Sequence, residues 1–237
     1  MIEIRTDLAI ENREIYQEKN SGEVPGVEVE KEEGRDYTVT RVKILDEIGV
    51  RNLGKPKGVY ITIEVPKLKN TDQDLKDEIS KLLAKEIKGI GRNNENTKTL
   101  IVGLGNWNVT PDALGPKVVD RVLVTRQFFV AYKKDKDETV ANVSALSPGV
   151  MGLTGIETSE IVKGIVEKTN PDLVIAIDAL ASRKMERVST TIQISDTGIN
   201  PGSGIGNKRI GLNEAYLGVP VLSIGVPTVV DDTGPPK

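Results

Sequence analysis

Apolar positions along this chain follow two kinds of pattern. Alternation with period two marks Tyr37–Leu45 and Gly58–Val65, and more weakly Val24–Val29, as strands. Pro66 closes the second of these, because it has no N–H to give to a ladder. Asp72–Lys88 is the clearest helix, with Leu75, Ile79, Leu82, Leu83 and Ile87 on one face. Thr71 and Asp74 suggest a capping-box start, and Gly89 and Gly91 end it.

Further along, Thr99–Leu104, Leu173–Ile177 and Val219–Gly225 are short continuous apolar runs, and Thr190–Ile194 alternates. Gly115–Leu123, Glu157–Thr169 and Asn213–Leu217 have helical spacing. Apolar runs alternating with helices predict buried parallel strands. The expected fold class is therefore α/β: a mostly parallel central sheet flanked by helices, with an added N-terminal β-rich portion. Residues 1–36 read as charged and irregular, with an acidic run at Glu28–Glu33.

Composition narrows the chemistry by what it lacks. The 237 residues contain no cysteine and no histidine. Ser-His-Asp and Cys-His catalysis are thereby excluded, and so are the usual zinc sites. Proton transfer near neutral pH falls to carboxylates with shifted pKa values, or to Lys or Tyr. The net charge of −3 and the lack of a polybasic tract give no support to nucleic-acid binding. No apolar run approaches the ~20 residues a membrane helix needs, and the N-terminus lacks a signal-peptide pattern. A cytoplasmic location is the default expectation.

In open parallel sheets, sites form at the carboxyl ends of strands. The run ending at Gly105 leads into Asn106-Trp-Asn-Val-Thr-Pro-Asp112, and the run ending at Ile177 leads straight into Asp178. If those strands are neighbours, Asp112 and Asp178 share one rim, where a carboxyl pair acts as acid and base. The blander alternative makes each a helix N-cap. Gly103-Leu-Gly105 is too incomplete for a dinucleotide fingerprint, since Asn108 stands where a third glycine belongs. Asp196-Thr197-Gly198 and Asp232-Thr233-Gly234 are the paired triplets of pepsin-like proteases, but those enzymes are almost wholly β. The glycine-rich stretch Ser195–Asn207 suggests a loop whose backbone approaches a ligand.

Three long stretches resemble the germination proteases of spore-forming bacteria: Gly103–Pro116, Val174–Arg183 and Ser195–Asn207. The likeness continues through Leu217–Val221 and Gly225–Val230. A more distant similarity links the Gly-x-Gly-Asn turn and the Ile-Asp-Ala strand end to hydrogenase maturation proteases. The resemblance implies catalytic aspartates at Asp112 and Asp178, without saying which is acid and which is base. It implies an endopeptidase that degrades small acid-soluble spore proteins during germination, in the forespore and spore core. It also implies a homotetrameric zymogen that removes its own N-terminal segment. Such enzymes cut after an acidic residue and before a hydrophobic residue and alanine, which here gives Asp7-Leu8-Ala9. Residues 1–7 are then a propeptide and residues 8–237 one protease domain, shorter at the C-terminus than family members usually are.

Asn106, Asp196, Gly202, Ser203, Gly204 and Arg183 are expected to meet substrate. Lys184, Arg187, Lys208 and Arg209 are further cationic candidates for an acidic substrate residue. No cofactor and no metal are expected, although two aspartates and water leave a hard cation open. The competing function is a non-enzymatic α/β module holding a nucleotide or a partner.

Overall fold

The computed structural model of the chain describes residues 6–20, 22–70, 72–91, 96–131, 140–200 and 210–231. A helix, α1 (Ala9–Lys19), precedes the strands β1 (Val27–Glu33) and β2 (Thr38–Ile44). Next come helix α2 (Glu47–Leu53) and strand β3 (Gly58–Glu64). Asp46 caps α2, its Oδ1 accepting from Ile48 and Gly49 N–H. The long helix α3 (Gln73–Ile90) starts at Asp72, whose Oδ1 accepts from Leu75 N–H. The cap is therefore Asp72, one residue on from the expected start; Thr71 lies outside the described residues.

The second half brings β4 (Thr99–Gly103), α4 (Leu114–Val119), α5 (Arg126–Ala131), β5 (Val143–Leu146), α6 (Met151–Thr154) and α7 (Thr158–Thr169). It closes with β6 (Leu173–Ser182), β7 (Thr191–Ser195), α8 (Glu214–Leu217) and β8 (Val221–Val230). Among the described residues no helix is long and apolar enough to cross a membrane.

All eight strands join one sheet in the order β1-β2-β3-β7-β8-β6-β4-β5. The expectation of a mostly parallel sheet needs correction. Only β4·β5, β4·β6 and β6·β8 pair in parallel, whereas β1·β2, β2·β3, β3·β7 and β7·β8 are antiparallel. The N-terminal strands are not an appendage, because β7 runs opposite to β8 and joins the two halves edge to edge.

Both faces are covered. On the antiparallel half, Val39, Ile61 and Ile63 pack with Ile79 and Leu82 of α3. The alternate positions Val42, Ile44 and Tyr60 pack with Ala9 and Leu53 on the other face. Leu100, Val102, Val174 and Ala176 of the parallel half pack with Val162 and Val166 of α7. Each such fully buried valine contributes about 1.5–3 kcal/mol.

Candidate active site

Strand β4 stops at Gly103, opposite Ile177, while its neighbour β6 runs on to Ser182. One edge of β6 is thus vacated from Asp178 onward. The chain leaving β4 turns sharply at Gly105, where φ is +111° and a β-carbon would lie 2.0 Å from the Asp112 carbonyl oxygen. Only glycine suits that turn. Asn106 closes it: its N–H donates to the Asp112 carbonyl at 2.9 Å, and its Oδ1 accepts from Asn108 N–H at 3.0 Å.

Asp112 ends a short 3-10 turn, Thr110–Asp112, and α4 is capped by Ala113 without a side-chain bond. Asp178 sits within a strand rather than at a helix start. Neither aspartate is a helix cap. Asp178 is 7% exposed, and its Oδ1 accepts from Ala179 N–H at 2.9 Å. Burial pushes its carboxyl up to about 8, the Asp112 charge adds to the rise, and the Ala179 hydrogen bond opposes it.

A cavity of about 660 Å³ is lined by Asp112, Asp178, Asp7, Lys55, Gln193 and Thr197, among others. The chain's own N-terminal segment enters it along the vacated edge of β6. Asp7 N–H donates to the Ala181 carbonyl at 3.1 Å, and Ala181 N–H donates to Asp7 Oδ2 at 2.8 Å. Gln193 Nε2 donates to the Asp7 carbonyl at 3.0 Å, while Gln193 Oε1 accepts from Ala9 N–H at 2.7 Å. Leu8 is fully buried against Ile10 and Leu180.

Lys55 lies between α2 and β3 and faces the same segment. Burial pulls its ammonium below the ordinary value, and the Asp7 charge opposes that pull. Its loop is fastened by hydroxyls: Tyr60 OH donates to the Pro56 carbonyl at 2.9 Å and accepts from Thr197 Oγ1 at 3.1 Å. Ser195 Oγ lies 2.7 Å from Thr197 Oγ1, and since that hydroxyl's proton goes to Tyr60, Ser195 is the donor.

The other expected contacts lie elsewhere. Asn106 is engaged in its own turn, as above. Asp196 Oδ1 accepts from Val59 N–H at 2.8 Å, fastening the end of β7 to β3. Arg183, Lys184 and Arg187 face α1 instead of the cavity: Arg183 pairs with Glu18 at 2.9 Å and Lys184 with Glu14 at 3.0 Å. Arg187 reaches Glu11 at 3.1 Å, Glu14 at 2.7 Å and Glu64 at 2.9 Å. The main-chain N–H groups of Arg183 and Lys184 also donate to Glu11. Gly202, Ser203, Gly204, Lys208, Arg209 and the second Asp-Thr-Gly triplet lie outside the described residues. Among the described residues no cluster of three or more acidic groups is arranged to hold a metal ion.

Two cavity residues, Lys55 and Gln193, were missed from the sequence. Gly54-Lys55-Pro56-Lys57 reads as an ordinary charged turn. Gln193 had a signal in the polar stripe Thr191, Gln193, Ser195 along a strand, but its central place in the sheet was hidden.

A family model described as germination protease matches residues 2–234 of this chain. The chain is 55% identical over 228 residues to the germination protease of Caldanaerobacter subterraneus subsp. tengcongensis, an alignment that covers 96% of this chain and 69% of that one. It is 51% identical over 228 residues to the germination protease of Clostridium tetani, covering 96% and 71% of the two chains. With the germination protease of Clostridium perfringens it shares 52% identity over 232 residues, covering 98% and 71%.

Proposed function

This chain belongs to the germination protease family, and from that premise we propose that it is an endopeptidase that cuts its own Asp7–Leu8 bond and then degrades small acid-soluble spore proteins during germination. Residues 1–7 are the propeptide and the remainder is the protease domain. The observation that carries this reading is the seating of Asp7 in the cavity that holds Asp112 and Asp178, with Leu8 buried next to it against Leu180.

Asp178, raised to about 8, is the protonated member of the pair at neutral pH. Asp112 is the ionised member and takes a proton from the attacking water. The hydroxide so formed adds to the Asp7 carbonyl carbon. The tetrahedral centre collapses as Asp178 gives its proton to the Leu8 nitrogen, leaving a carboxyl on Asp7 and an amine on Leu8. The proton on Asp112 then restores Asp178. Lys55 faces the acidic side chain before the cut, and the burial of Leu8 and Ala9 sets the preference for a hydrophobic residue followed by a small one. The site works in the spore core, on protein substrates, within a homotetramer.

Intact-mass measurement of the full chain over time tests the reading. Loss of residues 1–7, blocked by Asp112→Asn and by Asp178→Asn, supports it. An unchanged mass together with nucleotide binding would favour the non-enzymatic module.

A further inference from the structure

Two aspartates account for proton transfer but not for the charge that gathers on the carbonyl oxygen as water adds. Gln193 is placed to meet that charge. It is 8% exposed, and its carboxamide touches the chain on both sides of the Asp7–Leu8 bond, at the Asp7 carbonyl and at Ala9 N–H. Its orientation is not interchangeable. Ala9 N–H can only donate, so the carboxamide oxygen must face it and the NH2 must face the Asp7 carbonyl.

The sheet register puts this contact beside the acid. Gln193 on β7 and Asp178 on β6 are both opposite Gly225 on β8, so the two side chains rise from one face. Asp7 is bound to Ala181 on β6 and to Gln193 on β7. The segment is therefore tied to both β6 and β7, with its carbonyl oxygen toward Gln193.

We propose that Gln193 is a catalytic residue: its carboxamide N–H holds the oxygen of the bond to be cut and stabilises the negative charge formed there, while its oxygen fixes the register of the chain downstream. The proposal rests on the self-cleavage reading and goes beyond it by naming the group that receives the oxyanion. A donor 3.0 Å from that oxygen is within the range such stabilisation requires.

The test follows self-cleavage of the full chain by intact mass from acidic to mildly alkaline pH, with a thermal melt of every variant alongside. Gln193→Met keeps the length and removes both hydrogen bonds, and it should slow cleavage about 10²–10³-fold at every pH. Gln193→Glu should be as slow once the introduced carboxyl ionises. It should recover toward the wild-type rate in acid, where a protonated carboxyl again offers one donor and one acceptor. A merely structural role would move the melting point with the same titration, whereas loss of oxyanion stabilisation slows cleavage with the melt unchanged. The acid rescue also decides the matter if Gln193→Met fails to fold. Wild-type rates in both variants at all pH values overturn the role of Gln193 and leave the two-aspartate reading standing. A wild-type chain that never cleaves overturns both.

Discussion

Asp178 and Gln193 flank Gly225 in one row across the central sheet, on the same face and on the two strands beside it. Strands lie about 4.8 Å apart, so the row places the two α-carbons about 10 Å from each other with one strand between them. Gly225 has no side chain to obstruct that gap, and a β-carbon there would come within 2.4 Å of Leu180.

Removing either carboxyl should stop self-cleavage without unfolding the chain. Asp112→Asn and Asp178→Asn are each expected to slow loss of residues 1–7 by about 10²–10⁴-fold or more. Intact mass follows the cleavage, and far-UV circular dichroism checks that the fold persists.

Asp178 also makes stability depend on pH. Its carboxyl titrates at about 8 in the folded chain, against an ordinary value of 3.8. Between those values the folded state keeps a proton that the unfolded state has lost, so this contribution is full below the lower value. It falls as pH rises through the window, by at most about 1.4 kcal/mol per pH unit, and levels off above the upper one. Asp178→Asn should therefore stabilise the protein more at about pH 8 than at about pH 5, as read from urea midpoints.

Lys55 and Asp7 should be coupled. Lys55→Met and Asp7→Asn each slow self-cleavage, and the double variant should be less impaired than the two effects combined predict. A double-mutant cycle on the cleavage rate should give about 0.5–3 kcal/mol of interaction. Strict additivity would remove Lys55 from the reading of the acidic side chain.

Arg187 should matter for stability more than for chemistry. Its side chain is 7% exposed and pairs with Glu11, which is fully buried. Arg187→Met leaves that carboxylate without its cation, at a cost of about 3–5 kcal/mol. Chemical denaturation measures the loss.

Much of this site could be read from the chain because the parallel strands announce themselves. Leu100–Leu104 and Leu173–Ile177 are wholly apolar, and the pairing of their strands brings the Asp112 turn beside Asp178. The sheet's direction was harder. Strand β7 alternates Ile192 and Ile194 with polar residues, a pattern that fits either orientation, and only its pairing with β3 and β8 shows it antiparallel to both. Helix α1 was invisible for a different reason: its charges carry its attachment. Glu11 and Glu14 point inward to Arg187, so the helix lacks the apolar stripe by which sequence patterns are recognised. The acidic run at Glu28–Glu33 lies wholly within the edge strand β1, where charge discourages pairing with another chain. Strand β5 has four residues, too few to show a period.

Glu11, Glu14 and Glu18 keep α1 docked on Arg183, Lys184 and Arg187 whether or not the peptide bond before Leu8 is intact. A cut at that bond therefore releases only one of its two products. Under the proposed cleavage, loss of residues 1–7 would take Asp7 away from Lys55 and uncover the edge of β6. The retained end would gain a primary ammonium at Leu8 while still filling the seats of Leu8 and Ala9, so those seats must empty before a second peptide can bind in the same register.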